Sequence, residues 1–78
     1  MRILSMDTGV SVNSADVISF EYSFSDGRLY AYVARDGIER AVPILSTNDY
    51  NYANTVLRKI CRNIAMGTVF YVIEEEGE

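Results

Sequence analysis

The chain has 78 residues, 7 basic against 11 acidic, a formal charge of −4 and no histidine. That length admits one domain with a single thin core, and the acidic balance argues against general binding to a phosphate backbone. The missing imidazole removes the commonest general base, the commonest metal ligand and every histidine-based triad.

The first apolar stretch, Arg2 to Met6, reads as a strand, and Asp7-Thr8-Gly9 as a turn. Val10 to Asp16 fits a strand or a loop. Val17 to Phe24 is a half-buried strand, because Ile18, Phe20, Tyr22 and Phe24 alternate with Val17, Ser19, Glu21 and Ser23. Asp26-Gly27 is the preferred two-residue hairpin loop, and Arg28 to Arg35 returns as the partner strand. This loop sets Phe24 opposite Leu29, Tyr22 opposite Ala31 and Phe20 opposite Val33, all apolar on one face. The other face carries Glu21 and Ser23 with Arg28, Tyr30 and Tyr32. Tyr32 then falls opposite Glu21, and Tyr30 opposite Ser23.

Asp36-Gly37 repeats the turn signal, so Ile38 to Leu45 is a third meander strand. A two-residue loop there puts Val42 opposite Ala31, Ile44 opposite Leu29 and Arg40 opposite Val33. Pro43 cannot donate to a ladder, which assigns this strand to a sheet edge or a frayed end. A helix follows over Thr47 to Ala65, with Ser46 as its cap and Asp49 at the positive terminus. Tyr50, Ala53, Val56, Leu57, Ile60, Cys61 and Ile64 form its apolar stripe. Gly67 suits the left-handed position just past the end. Thr68 to Ile73 is a continuously apolar strand, the pattern of burial on both faces or of a central place in the sheet. Residues 74–78 read as a solvated acidic tail.

The order β-β-β-β-α-β predicts an α+β fold: a largely antiparallel sheet of four to five strands with one helix packed on one face. No linker or repeat divides residues 1–78, so they form a single α+β domain. Dimerisation would enlarge so small a core.

The chemistry for catalysis is absent from the pattern. The chain has one cysteine, Cys61, so no disulfide and no zinc site of the usual ligands can form within it. Cys61 falls on the helix stripe, where a free cysteine behaves as a small buried hydrophobe. The glycines are scattered singly through turns, without a Walker A or dinucleotide pattern. The reading is therefore not an enzyme, with no metal and no cofactor. An unstapled chain of this size points to a reducing cytoplasm. The start has no cleavage-site pattern, and the chain no long apolar run, so neither a signal peptide nor a membrane span is expected.

Three surfaces are candidates for partner binding. The first is the second sheet face, with Tyr30, Tyr32, Arg28 and Glu21, because tyrosine and arginine combine contact area with a polar tip. Ordinary cross-strand packing accounts for the same residues. The second is the helix strip Arg58, Lys59 and Arg62, an alternative site for nucleic acid. Cations near a helix C-terminus also need no ligand to explain them. The third is the acidic tail with Glu39, Glu21 and Asp16. Net negative charge suits a protein partner with a basic surface, although it also serves solubility alone.

In size, charge and layout, with the hairpin Val17–Arg35 and the single helix Ser46–Ala65, the chain resembles the small proteins of phages and mobile elements, including anti-CRISPR proteins. The resemblance implies a non-catalytic protein-binding inhibitor or adaptor that blocks a host complex by steric occlusion in the host cytoplasm. It carries no functional residue over to this chain. The alternatives are a nucleic-acid-binding module using the basic helix strip and a structural homo-oligomer, such as a homodimer, built through an open sheet face or edge.

Overall fold

The computed structural model describes residues 1–74. It is an α+β protein, as the element pattern predicts. The order is β1 (Arg2–Ser5), β2 (Ser11–Asn13), a 3-10 turn (Ser14–Asp16), β3 (Val17–Ser23), β4 (Arg28–Arg35), β5 (Ile38–Ser46), α1 (Tyr50–Ala65) and β6 (Phe70–Ile73). The ambiguous segment Val10–Asp16 is thus a short strand followed by a turn. Asn13 Oδ1 opens that turn by accepting the Ala15 N–H at 3.0 Å.

The strands do not form the single sheet of four to five strands expected from sequence. They form two sheets of three, ordered β2-β1-β6 and β3-β4-β5. The break falls at the outer edge of β5, and its cause is local. Pro43 has no N–H to donate, and a bulge leaves Ile44 as an extra residue between the pairs Tyr30–Pro43 and Leu29–Leu45. Side chains from the end of β1 then occupy the edge in place of a backbone ladder. Ser5 Oγ donates to the Ile44 carbonyl at 2.6 Å, Thr8 Oγ1 to the Pro43 carbonyl at 2.7 Å, and the Ser46 N–H donates to Asp7 Oδ2 at 2.6 Å. With β5 closed in this way, β1 pairs elsewhere: antiparallel to β2 and parallel to β6.

The same bulge turns two consecutive side chains, Ile44 and Leu45, into the core. They meet Leu29 and Ala31 from β4, Ile3, Val12 and Ile73 from the other sheet, and Ala53, Val56 and Ile60 from α1. One core therefore serves both sheets and the helix. The expected pairs Ala31–Val42 and Val33–Arg40 are present, and β5 lies at a sheet edge as Pro43 requires. The Asp36-Gly37 loop is the expected two-residue turn. Both residues take positive φ, 54° and 78°, which matches the right-handed twist of the flanking strands.

Three other expectations are corrected. The helix begins at Tyr50 rather than Thr47, and its cap is Asp49 rather than Ser46. Asp49 Oδ1 accepts the Tyr52 N–H at 3.2 Å, while Ser46 is still paired in β5. Cys61 is exposed, not buried. The helix rests on the sheets along the narrow line Ala53, Val56, Ile60, and Cys61 lies about 100° around the axis from Ile60. Tyr50 and Ile64, on the margins of the same stripe, are also exposed. Finally, β6 is neither central nor buried on both faces. Because β1 takes the middle of its sheet, β6 is an edge strand: Ile73 faces the core while Phe70 and Val72 are exposed. Among the described residues, no helix is long and apolar enough to cross a membrane.

Candidate functional site

The four residues singled out on the sheet do share a face. Their register differs from the one expected. The β3–β4 loop holds four residues, Phe24 to Gly27, instead of two, so Ser23 pairs with Arg28, Tyr22 with Leu29, Glu21 with Tyr30 and Phe20 with Ala31. The slip is two residues along the pair. Since side chains alternate with a period of two, the residues from Ser19 to Ser23 keep their faces while changing their partners. Glu21 thus lies opposite Tyr30 rather than Tyr32, and Ser19 lies opposite Tyr32.

The longer loop is held by contacts that local turn preference does not include. Gly27 alone takes positive φ, 67°, and its N–H donates to the Ser23 carbonyl at 2.9 Å. The Thr47 N–H donates to the Gly27 carbonyl at 2.8 Å, and the Tyr22 hydroxyl donates to the Thr47 carbonyl at 2.6 Å. The loop is thereby docked on the segment that enters α1. A Cβ at position 27 would stand 2.6 Å from Asn48 Oδ1, the end of an exposed side chain that can turn aside, so it is the positive φ that favours glycine here.

On the solvent side of β3–β4–β5, Tyr30 and Tyr32 are half-buried, and Arg28 and Glu21 are exposed. The Tyr30 hydroxyl donates to Asp26 Oδ2 at 2.5 Å. That bond, followed by one from Ser23, holds the Asp26 carboxyl below its ordinary range and raises the Tyr30 hydroxyl above its own. Hydrogen bonding to Glu21 and its charge raise Tyr32, with a smaller push from Glu39. Three carboxylates, Glu21, Asp26 and Glu39, therefore border two tyrosines that remain neutral and able to donate. Arg28 is the cation among them.

A substitution tests this pairing. Tyr30→Phe should return the Asp26 carboxyl toward the ordinary aspartate value, read by NMR titration of its side-chain carbon. The sign follows from the lowered folded pKa. The contribution to stability is present above the unfolded value and is lost as pH falls through the folded one. Asp26 is exposed and Tyr30 only half-buried, so solvent keeps the effect small. An Asp26 titration identical in the two proteins would exclude the bond as its cause.

Beside this face lies an aromatic cluster that the sequence pattern assigned to the core. Phe24 packs edge-on to Tyr22, with centroids 4.9 Å apart, and lies 5.0 Å from Tyr50; Tyr22 and Tyr50 are 5.5 Å apart. Phe24 is 75% exposed, since the four-residue loop lifts it out of the ladder. Ile18 is also exposed, as the extra residue of a second bulge between the pairs Val17–Val33 and Ser19–Tyr32. Phe20 and Tyr22, between them, keep their places against the core. The one hint in the sequence is the run Phe24-Ser25-Asp26-Gly27, which also suits a longer loop with glycine last.

The helix strip lies elsewhere. Arg58, Lys59 and Arg62 are all exposed on α1, and Arg62 sits in the last turn, where the helix terminus favours a cation. Of the acidic candidates, Glu39 and Glu21 border the tyrosine face, while Asp16 lies in the 3-10 turn. Of the tail, Glu74 is exposed and the rest falls outside the described residues. The chain matches no protein-family model, no curated protein and no solved structure.

Proposed function

We propose that the protein is a non-catalytic inhibitor or adaptor of the anti-CRISPR type, phage-encoded, that occludes a host protein complex through the β3–β4 hairpin. The observation that carries this reading is the solvent face of Tyr30 and Tyr32, set on a paired strand and bordered by Arg28 and Glu21. Tyrosines on a regular strand lose little conformational freedom on binding, so contact area converts efficiently into affinity. The Phe24–Tyr50–Tyr22 cluster extends the same surface around the edge of β3. Carboxylates at Glu21, Asp26 and Glu39 favour a partner with a basic surface, chiefly through the rate of encounter.

The test uses tagged protein in nuclease-treated host lysate, with Tyr30→Ala and Tyr32→Ala beside the parent. A stoichiometric protein partner is expected to remain bound to the parent. Each variant should weaken that complex by about 2 kcal/mol or more, roughly 30-fold, with an unchanged circular dichroism spectrum. Folded variants of undiminished affinity would overturn the surface assignment. A complex lost on nuclease treatment would transfer the function to Arg58, Lys59 and Arg62. A lysate with no partner, and a chain that self-associates, would support the homodimer instead.

A further inference from the structure

The inner face of the β4–β5 hairpin extends beyond the helix. Toward its Asp36-Gly37 turn, Val33, Arg35, Ile38, Arg40 and Val42 line a cleft of about 780 Å³, and no residue of α1 takes part. The opposite wall comes from the other sheet and the chain beside it, with Arg2, Val10 and Val12 among its residues. Three arginines, from β1, β4 and β5, therefore line one cleft in a protein whose net charge is −4.

Like charges lining one cleft repel one another, and among the described residues none of the three is held in an ion pair. Arg2 Nη1 donates to Ser11 Oγ at 3.1 Å, a neutral partner. Asp16 and Asp36 line the same cleft, yet among the described residues no carboxylate lies within 4.0 Å of any of the three guanidinium groups. Arginine is the side chain best shaped for bidentate contact with carboxylate or phosphate.

The remaining walls narrow the ligand. Besides the polar Ser11 and Asn13, they are aliphatic, built on Val10, Val12, Val33, Ile38 and Val42, with no aromatic ring on which a base could stack. The two aspartates and the overall negative charge disfavour an extended polyanion. The volume lies within the range of small-molecule sites. We infer that this cleft binds a compact amphipathic organic anion, with an aliphatic body on the valines and a carboxylate or phosphate head among Arg2, Arg35 and Arg40. The site is separate from the tyrosine face, so its failure would leave the proposed function untouched.

The experiment is an amide NMR titration of the full chain at fixed ionic strength. The probes are octanoate, octyl phosphate, 1-octanol, inorganic phosphate and adenosine monophosphate. One or both octyl anions should give saturable shifts at Val12, Val33, Arg35 and Arg40, and the tighter of the two identifies the head group as carboxylate or phosphate. Octanol and inorganic phosphate, each carrying half of the required chemistry, should bind at least about tenfold more weakly. Arg35→Gln and Arg40→Gln should each weaken the anion by about tenfold, the size expected for one charge-assisted contact. Both side chains are exposed, so the melting temperature should not move. Three results would each overturn the inference: no saturable shift at millimolar octyl anion, octanol binding as well as the anions, or undiminished binding by both glutamine variants. Adenosine monophosphate binding as tightly as octyl phosphate would exclude the aliphatic body.

Discussion

Replacing Ile60 with alanine is expected to lower the stability of the fold by about 2–5 kcal/mol. Ile60 is fully buried and touches the single core that α1 shares with both sheets, so removing its outer carbons leaves a cavity with nothing to collapse into it. A chain of this length is expected to hold only about 4–12 kcal/mol in total. In a domain of this size each kcal/mol corresponds to about 4–8 °C, so a fall of at least about 8 °C in Tm should follow. Urea denaturation should show a lower midpoint at an unchanged slope. Ile64→Ala is the control. It lies one turn further along the same sequence stripe but is 40% exposed, and its loss should be well under half as large. Equal losses at the two positions would show that α1 is not seated as described.

Ser5→Ala should cost about 1–3 kcal/mol, although it deletes one oxygen atom. Ser5 is buried, and its hydroxyl donates to the Ile44 carbonyl at the β5 bulge. It also accepts the Thr8 N–H at 3.1 Å. Alanine leaves that buried carbonyl and that N–H without their partner, which is more damaging than the loss of a solvated bond. The effect should appear in chemical denaturation and as faster amide exchange at Thr8. Ser11→Ala removes a hydroxyl from the same sheet, but an exposed one that only accepts from Arg2. It should change stability by less than about 0.5 kcal/mol. If Ser5→Ala is as mild as Ser11→Ala, the two sheets are not joined through this hydroxyl.

The two predictions mark the boundary between local and tertiary information. Each strand of the meander was legible because alternation of apolar and polar residues is a local signal, and so was the Asp36-Gly37 turn. Tyr30, Tyr32, Arg28 and Glu21 could be assigned to one face for the same reason. Their cross-strand partners could not, because the β3–β4 loop is set by its bonds to Thr47, a residue twenty positions downstream of Gly27. The aromatic cluster was hidden with it, as Phe24 is exposed only in the longer loop. The arginine cleft joins residues from β1, β4 and β5, and no spacing along the chain brings Arg2 to Arg35 and Arg40.

By itself, the sequence determined the α+β class, the meander strands, the presence of one helix, the shared face of Tyr30, Tyr32, Arg28 and Glu21 and the lack of histidine chemistry. These follow from backbone periodicity, turn preference and composition, which act within a few residues. Tertiary structure decided the division into two sheets, the edge position of β6, the exposure of Cys61 and the three-arginine cleft. Each depends on which distant groups satisfy an open strand edge or cover a helix face. At β5 that competition was won by Ser5, Asp7 and Thr8 because Pro43 and the bulge had already removed the backbone ladder.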